Sequence, residues 1–165
     1  MDQITNNKLL SIEDLVTKFR SGDRTETTVL DGVTLQLKKG EIIGLVGESG
    51  SGKSMTMLSA LQLLPANGKV TDGEVTLDDN GKNLLEYPTD SQAMRAVRGG
   101  RIGMIFQEPM TSLNPVMTVG DQIAEAAREH LKLSKAEAKA KAVEMMELVK
   151  IPDAEARYSE YDCCS

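Results

Sequence analysis

Aromatic residues are scarce in this sequence, because its 165 residues include two Phe, three Tyr and no Trp. A hydrophobic core therefore has to be built from aliphatic side chains and methionine. Cysteine is nearly absent as well, since Cys163 and Cys164 form a single adjacent pair. A metal site made from two CxxC pairs is excluded, and both residues are expected to be plain thiols.

Two further absences narrow the possible functions. No apolar run approaches the length of about eighteen residues that a membrane span needs, and the start, MDQITNNKLL, lacks the features of a signal peptide. The formal net charge of -6 disfavours a broad nucleic-acid-binding face, which would be basic. A small anion site stays possible, because backbone N–H groups can form one. We therefore expect a cytoplasmic protein that contacts a membrane only through a partner.

The hydrophobic pattern predicts strands mainly in the first half of the chain. Residues 9–19 have strand-like apolar spacing. In the next segment Val33, Leu35 and Leu37 alternate with the polar residues 34, 36 and 38, as a half-buried antiparallel strand does. A further strand and turn are predicted over residues 73–83. Residues 41–46, EIIGLV, and residues 101–106, RIGMIF, are short continuous apolar runs that are typical of strands buried on both faces.

Helices are predicted mainly in the second half. One helix is expected earlier, over residues 54–64, and Pro65 ends it. Residues 118–131 begin with Thr-x-x-Asp, and residues 134–149 begin with a capping-box pattern. This order of strands and helices predicts an α/β protein with an antiparallel β portion on its N-terminal side. The apolar stripe expected to pack on the last helix consists of Ala140, Val143, Met146 and Val149.

The most specific motif is a glycine-rich loop between an apolar run and a predicted helix. Residues 47–54, GESGSGKS, match G-x-x-x-x-G-K-[ST] at every fixed position. In such a loop, backbone N–H groups and the positive end of the helix dipole surround phosphate oxygens, and glycines allow their close approach. Lys53 is predicted to reach the β- and γ-phosphates, and Ser54 to offer its hydroxyl to Mg²⁺. The predicted phosphate-binding residues are Gly47, Glu48, Ser49, Gly50, Ser51, Gly52, Lys53 and Ser54, with Glu48, Ser49 and Ser51 acting mainly through their backbone.

Three segments in this order resemble one family. The glycine-rich loop, residues 31–41 (DGVTLQLKKGE) and residues 104–123 (MIFQEPMTSLNPVMTVGDQI) are similar to the ATPases of ATP-binding cassette (ABC) transporters, in the form used by dipeptide and oligopeptide importers. The resemblance covers about residues 9–161. It implies a P-loop NTPase core with an antiparallel β portion over about residues 9–107, then a glutamine loop and the start of a helical subdomain over about residues 108–161.

The resemblance implies roles for residues outside the phosphate loop. Gln107 matches the catalytic glutamine that reaches Mg²⁺ and the attacking water, a role that suits a neutral amide. Phe19 matches the aromatic residue that stacks on adenine, with core packing as the alternative, and Val29 matches a small apolar residue that touches the same ring. The loop after Gln107, stiffened by Pro109 and Pro115, matches the docking surface for a membrane-spanning subunit, with internal packing as the alternative. Its apolar residues are Met110, Leu113, Val116 and Met117.

The sequence departs from the family pattern near its end. The family continues beyond RYxxY into a proline and a Leu-Ser-Gly-Gly signature, whereas residues 157–161 are followed here by DCCS. The signature, the Mg-binding Asp, the catalytic Glu and the switch histidine are not matched, and His130 is expected on the solvated surface instead. The resemblance therefore implies a C-terminally truncated nucleotide-binding domain with an incomplete sheet, which alone would not hydrolyse ATP.

The implied function is that of an ABC importer subunit on the cytoplasmic face of the membrane. It would bind and hydrolyse ATP with Mg²⁺ to power the import of di- or oligopeptides. The implied partners are membrane-spanning permease subunits, a second ATPase subunit in a homo- or heterodimer and, indirectly, an extracytoplasmic solute-binding protein; nucleic acid is not expected. Two alternatives stay open, a non-hydrolysing nucleotide-binding fragment and an importer ATPase for nickel or another small solute. A P-loop kinase or GTPase is disfavoured, because neither a lid nor an Asn-Lys-x-Asp element is found.

Overall fold

A computed structural model describes residues 7–22, 25–78, 81–106 and 113–161. The chain divides into two compact units, Met1–Met94 and Arg95–Ser165. The boundary near residue 107 that the resemblance implied stays a prediction. In chain order the elements are β1 (Lys8–Arg20), β2 (Glu26–Lys38), α1 (Lys53–Ala60), β3 (Gly68–Leu77), a short 3-10 helix (Leu84–Glu86), α2 (Gln92–Val97), α3 (Val119–Leu131), α4 (Lys135–Leu148) and α5 (Ala154–Arg157).

The first unit is built on a three-stranded antiparallel sheet in the order β2-β1-β3. In the central strand, Ile12 lies opposite Leu35 of β2 and opposite Val75 of β3. Ile12, Val75 and Leu15 are fully buried and form the centre of an aliphatic core. The alternation predicted for β2 is confirmed, because its apolar residues 33, 35 and 37 are half-buried while the polar residues between them are exposed.

The two short apolar runs differ from their predicted structure. Within the described parts of the chain, neither residues 41–46 nor residues 101–106 belong to a strand, and Ile102 makes only an isolated bridge with Arg98. Most of their side chains are open to solvent, with Ile42, Val46 and Ile105 exposed by 97%, 93% and 96%, while Ile102 and Met104 are half-buried. A strand buried on both faces needs neighbouring strands and covering helices. The three-stranded antiparallel sheet described above includes neither of these two segments.

The helix after the phosphate loop is shorter than predicted. α1 ends at Ala60, and Gln62 adopts a left-handed conformation with φ of 52°. The side-chain amide of Gln62 donates to the carbonyl oxygens of Leu84, at 2.7 Å, and Tyr87, at 3.1 Å. These bonds hold the chain in a turn, so the helix stops before Pro65 is reached.

The second unit packs α3 against α4. Both predicted helix starts are confirmed: Thr118 accepts a hydrogen bond from the backbone N–H of Asp121, and Ser134 forms a complete capping box with Glu137. The predicted stripe on α4 is only partly right, since Met146 is buried and Val143 half-buried but Ala140 and Val149 are exposed. The buried face instead follows the four-residue spacing of Ala138, Ala142 and Met146.

His130 also departs from its prediction. The residue is half-buried, and its imidazole lies against the backbone of Gly99 and Gly100 rather than in open solvent. The two glycines that end α2 leave room for the ring. His130 therefore contributes to packing within the second unit.

Tyr158 fixes the segment after α5 on the start of α3. Its hydroxyl donates to Asp121 Oδ1 at 2.9 Å, and a Cβ at Gly120 would overlap its ring. The backbone N–H of Val119 donates to Glu160 O at 2.9 Å, and that of Gly120 donates to Tyr158 O at 3.1 Å. These bonds satisfy N–H groups that the start of a helix leaves unpaired.

This close packing predicts that Gly120→Ala destabilises the chain. We expect the free energy of unfolding to fall by about 2 kcal/mol, which is a typical cost of overpacking. This cost exceeds the gain from the higher helix propensity of alanine. Gly103→Ala is the matched control, because a Cβ at that glycine meets nothing within 4 Å. Chemical denaturation followed by circular dichroism measures both variants. Equal transition midpoints would contradict the contact between Gly120 and the tyrosine ring.

The hydrogen bond between Tyr158 and Asp121 predicts how the stability of the protein depends on pH. The Tyr158 hydroxyl, with Thr118, lowers the pKa of Asp121, while burial and then the Asp121 bond raise the pKa of Tyr158. A lowered carboxyl pKa stabilises the fold above the unfolded value of about 3.9 and loses its effect as the pH falls through the folded value. A raised phenol pKa stabilises below about 10 and loses its effect as the pH rises.

We therefore expect Tyr158→Phe to flatten the acid limb of the stability profile. Thermal melts at a series of pH values measure this limb. Tyr161→Phe is the matched control, since that ring is 55% exposed. An acid limb with unchanged slope in Tyr158→Phe would show that the hydroxyl does not set the pKa of Asp121.

Candidate phosphate-binding site

The glycine-rich loop lies on the surface and leads directly into α1. Residues 47–51 are exposed, Gly52 is buried as the residue that precedes the helix, and Lys53 is the first helical residue. Gly50 and Gly52 have φ of 82° and 93°. Side chains rarely tolerate these values, so the loop conformation requires glycine at both positions.

The ammonium of Lys53 lies inside the curve of the loop. Its Nζ donates to Gly47 O at 2.8 Å, Glu48 O at 2.7 Å and Ser51 Oγ at 3.3 Å. The backbone N–H of Ser51 donates to Glu48 O at 3.2 Å and closes a turn. All these acceptors are neutral. A phosphate oxygen would be a stronger acceptor, because its bond to an ammonium is charge-assisted on both sides.

The start of α1 adds a second feature that favours an anion. Gly52 has no side chain to cap the helix, and the first turn contains no acidic residue. The N–H groups of a helix start point outward and carry the positive end of the helix dipole. The loop, the lysine and the helix start together can therefore hold a group of phosphate type.

The loop backbone rests on β2. A Cβ at Gly52 would lie 2.8 Å from Leu30 Cδ2 and 3.8 Å from the carbonyl oxygen of Val29. Leu30 is buried, so the glycine allows the helix start to contact the sheet directly. This contact also brings Val29, whose side chain is 39% exposed, next to the loop. Its contact with an adenine ring stays a prediction.

Phe19 is packed on the same sheet. It lies opposite Thr27 of β2 and Gly68 of β3, and a Cβ at Gly68 would be 2.8 Å from Phe19 Cζ. Thr17, two residues earlier, lies opposite Leu30, so Phe19 and the phosphate loop lie along the same two strands. The half-buried ring fits the packing alternative for Phe19. Stacking on adenine stays a prediction.

Gln107 lies outside the described residues, as do Pro109 and Met110. Their predicted roles therefore stay predictions. In the described part of this loop, Pro115 is exposed, Val116 is 79% exposed, and Leu113 and Met117 are half-buried.

One residue that positions this loop was missed by the sequence analysis. The side-chain amide of Gln122 donates to Asn114 O at 3.1 Å and to Met117 O at 3.2 Å, and its oxygen accepts from the N–H of Asn114 at 2.8 Å. Residues 114–117 are thereby attached to the first turns of α3. No local pattern indicates this role, because one partner lies eight residues upstream.

The protein groups near the loop suit a metal ion that binds together with a polyphosphate. Among the residues with a described structure, no group of three His, Cys, Asp or Glu could hold a metal ion. Ser54, however, is exposed at the helix start. Mg²⁺ usually keeps several waters and binds through phosphate oxygens with one or two protein ligands, so a single hydroxyl is a suitable contribution.

A loop of this sequence and geometry, which leads into a helix with a lysine at its start, defines the P-loop class of nucleotide-binding proteins. Residues 30–164 match the family described as ABC transporter, so the chain belongs to this family. The family predicted from the sequence is confirmed. None of the helices in the described segments is long and apolar enough to cross a membrane.

Two curated relatives are close in sequence. The chain is 53% identical over 154 residues to "Probable peptide ABC transporter ATP-binding protein y4tR" of Sinorhizobium fredii, covering 93% of this chain and 44% of the relative. It is 44% identical over 162 residues to "Glutathione import ATP-binding protein GsiA" of Salmonella choleraesuis, covering 97% of this chain and 26% of the relative. The chain spans less than half the length of either protein.

A solved structure has the same fold. The chain superposes with a TM-score of 0.76 on the ATP-binding cassette MJ0796, solved as a dimer in a post-hydrolysis state bound to ADP and Pi. The match covers 93% of this chain and 62% of that chain, at 22% sequence identity. The predicted fold class, an α/β ABC ATPase core with an antiparallel β portion, is confirmed.

The close contact between Gly52 and Leu30 of β2 predicts that Gly52→Ala distorts the site. The added Cβ would meet Leu30 in a conformation that disfavours any side chain, so the free energy of unfolding should fall by about 1–3 kcal/mol. Gly44→Ala is the control, since a Cβ there meets nothing within 4 Å. Thermal unfolding compares the two variants. If Gly52→Ala were as stable as Gly44→Ala, the close contact between Gly52 and Leu30 would be contradicted.

Proposed function

We propose that this chain is the nucleotide-binding portion of an ABC importer ATPase and that residues 47–54 bind the phosphates of ATP. The observation that carries the proposal is the position of Lys53, whose ammonium is surrounded by the loop at an uncapped helix start. Family membership supports ATP as the ligand. The similarity to MJ0796 supports the fold that such a site needs.

The chemistry follows from the donors in the loop. The β- and γ-phosphate oxygens would replace the neutral acceptors around Lys53 Nζ, and the N–H groups of residues 52–54 would donate to the same phosphates. Ser54, and Gln107 by resemblance, would hold Mg²⁺. The metal ion, when bound, neutralises charge on the triphosphate. Phe19 and Val29 would contact the adenine ring from β1 and β2.

ATP hydrolysis and its coupling to transport belong to the complete assembly in this proposal. Gln107 would orient the attacking water, and a second ATPase subunit would complete each site. The names of the two relatives, which refer to peptide transport and glutathione import, support a small peptide as the transported solute. An importer for nickel or another small solute is the alternative.

The proposed location is the cytoplasmic face of the membrane, where permease subunits would hold the chain. The exposed side chain of Val116, beside the half-buried Leu113 and Met117, supports a docking surface on the loop after Gln107. In an importer, an extracytoplasmic solute-binding protein would deliver the solute to the permease from the other side.

The phosphate site predicts that Lys53→Ala weakens the binding of Mg-ATP by at least about tenfold, since a charge-assisted bond is lost. The fold should be retained, because the lysine is only half-buried. Isothermal titration of the 165-residue chain measures the affinity, and phosphate release measured in parallel separates hydrolysis from binding alone. Lys39→Ala, which removes an exposed lysine ahead of the loop, is the control. Equal affinities of the two variants would refute the phosphate site.

A further inference from the structure

We propose that Thr17 and Ser59 are positioning residues of the phosphate site. Their buried hydroxyl pair sets the rotation of α1 about its own axis, and it thereby sets the direction of the N–H groups and of Lys53 at the helix start. The inference rests on the proposed function, because the positioned group is the phosphate loop.

The two hydroxyls form a bond between elements far apart in sequence. Thr17 Oγ1 and Ser59 Oγ are 2.8 Å apart, and either can donate. Both residues are 0% exposed. Thr17 lies in the central strand β1, and Ser59 lies in the last turn of α1. The bond therefore joins the C-terminal end of the loop's helix to the centre of the sheet.

The buried face of α1 shows why this bond controls rotation. Gly52, Thr56, Ser59 and Ala60 are buried and follow the spacing of a single helix stripe. At one end of this stripe Gly52 rests on Leu30, and this apolar contact has no preferred direction. At the other end the hydroxyl pair is directional, since a hydrogen bond weakens steeply as its angle departs from linear.

The segment before the loop adds little restraint on the orientation of α1. Residues 41–46 are exposed and lie outside any strand of the described sheet. The orientation of α1 must then come from its contacts with β1, β2 and β3 and from the bonds of Gln62 at its end, among which the Thr17–Ser59 pair is the side-chain bond to the sheet. Successive helix positions are about 100° apart around the axis, so a modest roll would turn Lys53 and the first N–H groups away from a shared point.

The alternative is that the pair serves stability alone, because each buried hydroxyl needs a hydrogen-bond partner. The two roles differ in what happens when both hydroxyls are removed. Loss of one partner leaves a buried polar group unpaired, whereas loss of both in similar shapes is nearly neutral for stability. A purely stabilising pair therefore predicts normal behaviour for the double variant in every assay.

The test uses Thr17→Val, Ser59→Ala and the double variant of the 165-residue chain. We expect the double variant to unfold near the wild-type midpoint but to bind Mg-ATP at least about tenfold more weakly. Thr17→Ser keeps the hydroxyl and should retain wild-type affinity. Ser11→Ala is the control, because this buried hydroxyl of β1 bonds to Glu13 and not to α1. A double variant with both normal stability and normal affinity would overturn the inference.

A second measurement does not depend on nucleotide binding. Residual dipolar couplings of the backbone N–H groups of residues 53–60 report the orientation of α1 relative to the sheet. We expect them to change in the double variant and not in Ser11→Ala. If wild-type protein showed no Lys53-dependent binding of Mg-ATP, the proposed function would fail, and unchanged couplings would separately refute the positioning role.

Discussion

The contact between Gly52 and Leu30 determines how closely the start of α1 lies to β2. Because glycine has no side chain, the backbone at the start of α1 packs directly on β2. A Cβ added at Gly52 would lie 2.8 Å from Leu30 Cδ2 and 3.8 Å from the carbonyl oxygen of Val29. The N–H groups of the helix start and the ammonium of Lys53, which donates to the loop carbonyls of Gly47 and Glu48, then lie at the same end of α1. A larger residue would lift the helix start and separate these donors from the ammonium.

The candidate site would allow an acidic chain to hold a polyanion. The net charge of -6 is spread over the whole chain, whereas the candidate site uses backbone N–H groups and a single lysine. Exposed charges separated by more than about 8 Å are largely screened at physiological ionic strength, so distant carboxylates contribute little. Local geometry, rather than overall charge, therefore decides whether phosphate binds.

Features encoded by neighbouring residues were predictable, and features that need distant partners were not. The motif of residues 47–54, the alternation of β2 and the caps at Thr118 and Ser134 each depend on a few adjacent positions. The apolar runs at 41–46 and 101–106 show the limit, since an apolar pattern gives the tendency to be buried but does not supply the partner strands. The Thr17–Ser59 bond spans 42 positions and has no signal in either local sequence.

In the second unit, the start of α3 joins two segments that are distant in sequence. Gln122 attaches residues 114–117 to the first turns of this helix, and Thr118 forms an antiparallel bridge with Tyr161. The bonds from Val119 and Gly120 hold the segment after α5 in the same place. Val116 is thus an exposed apolar side chain in a segment, residues 114–117, whose backbone is hydrogen-bonded to the start of α3. Such rigid support favours the docking surface proposed for this loop, because a preorganised surface loses less conformational entropy when a partner binds.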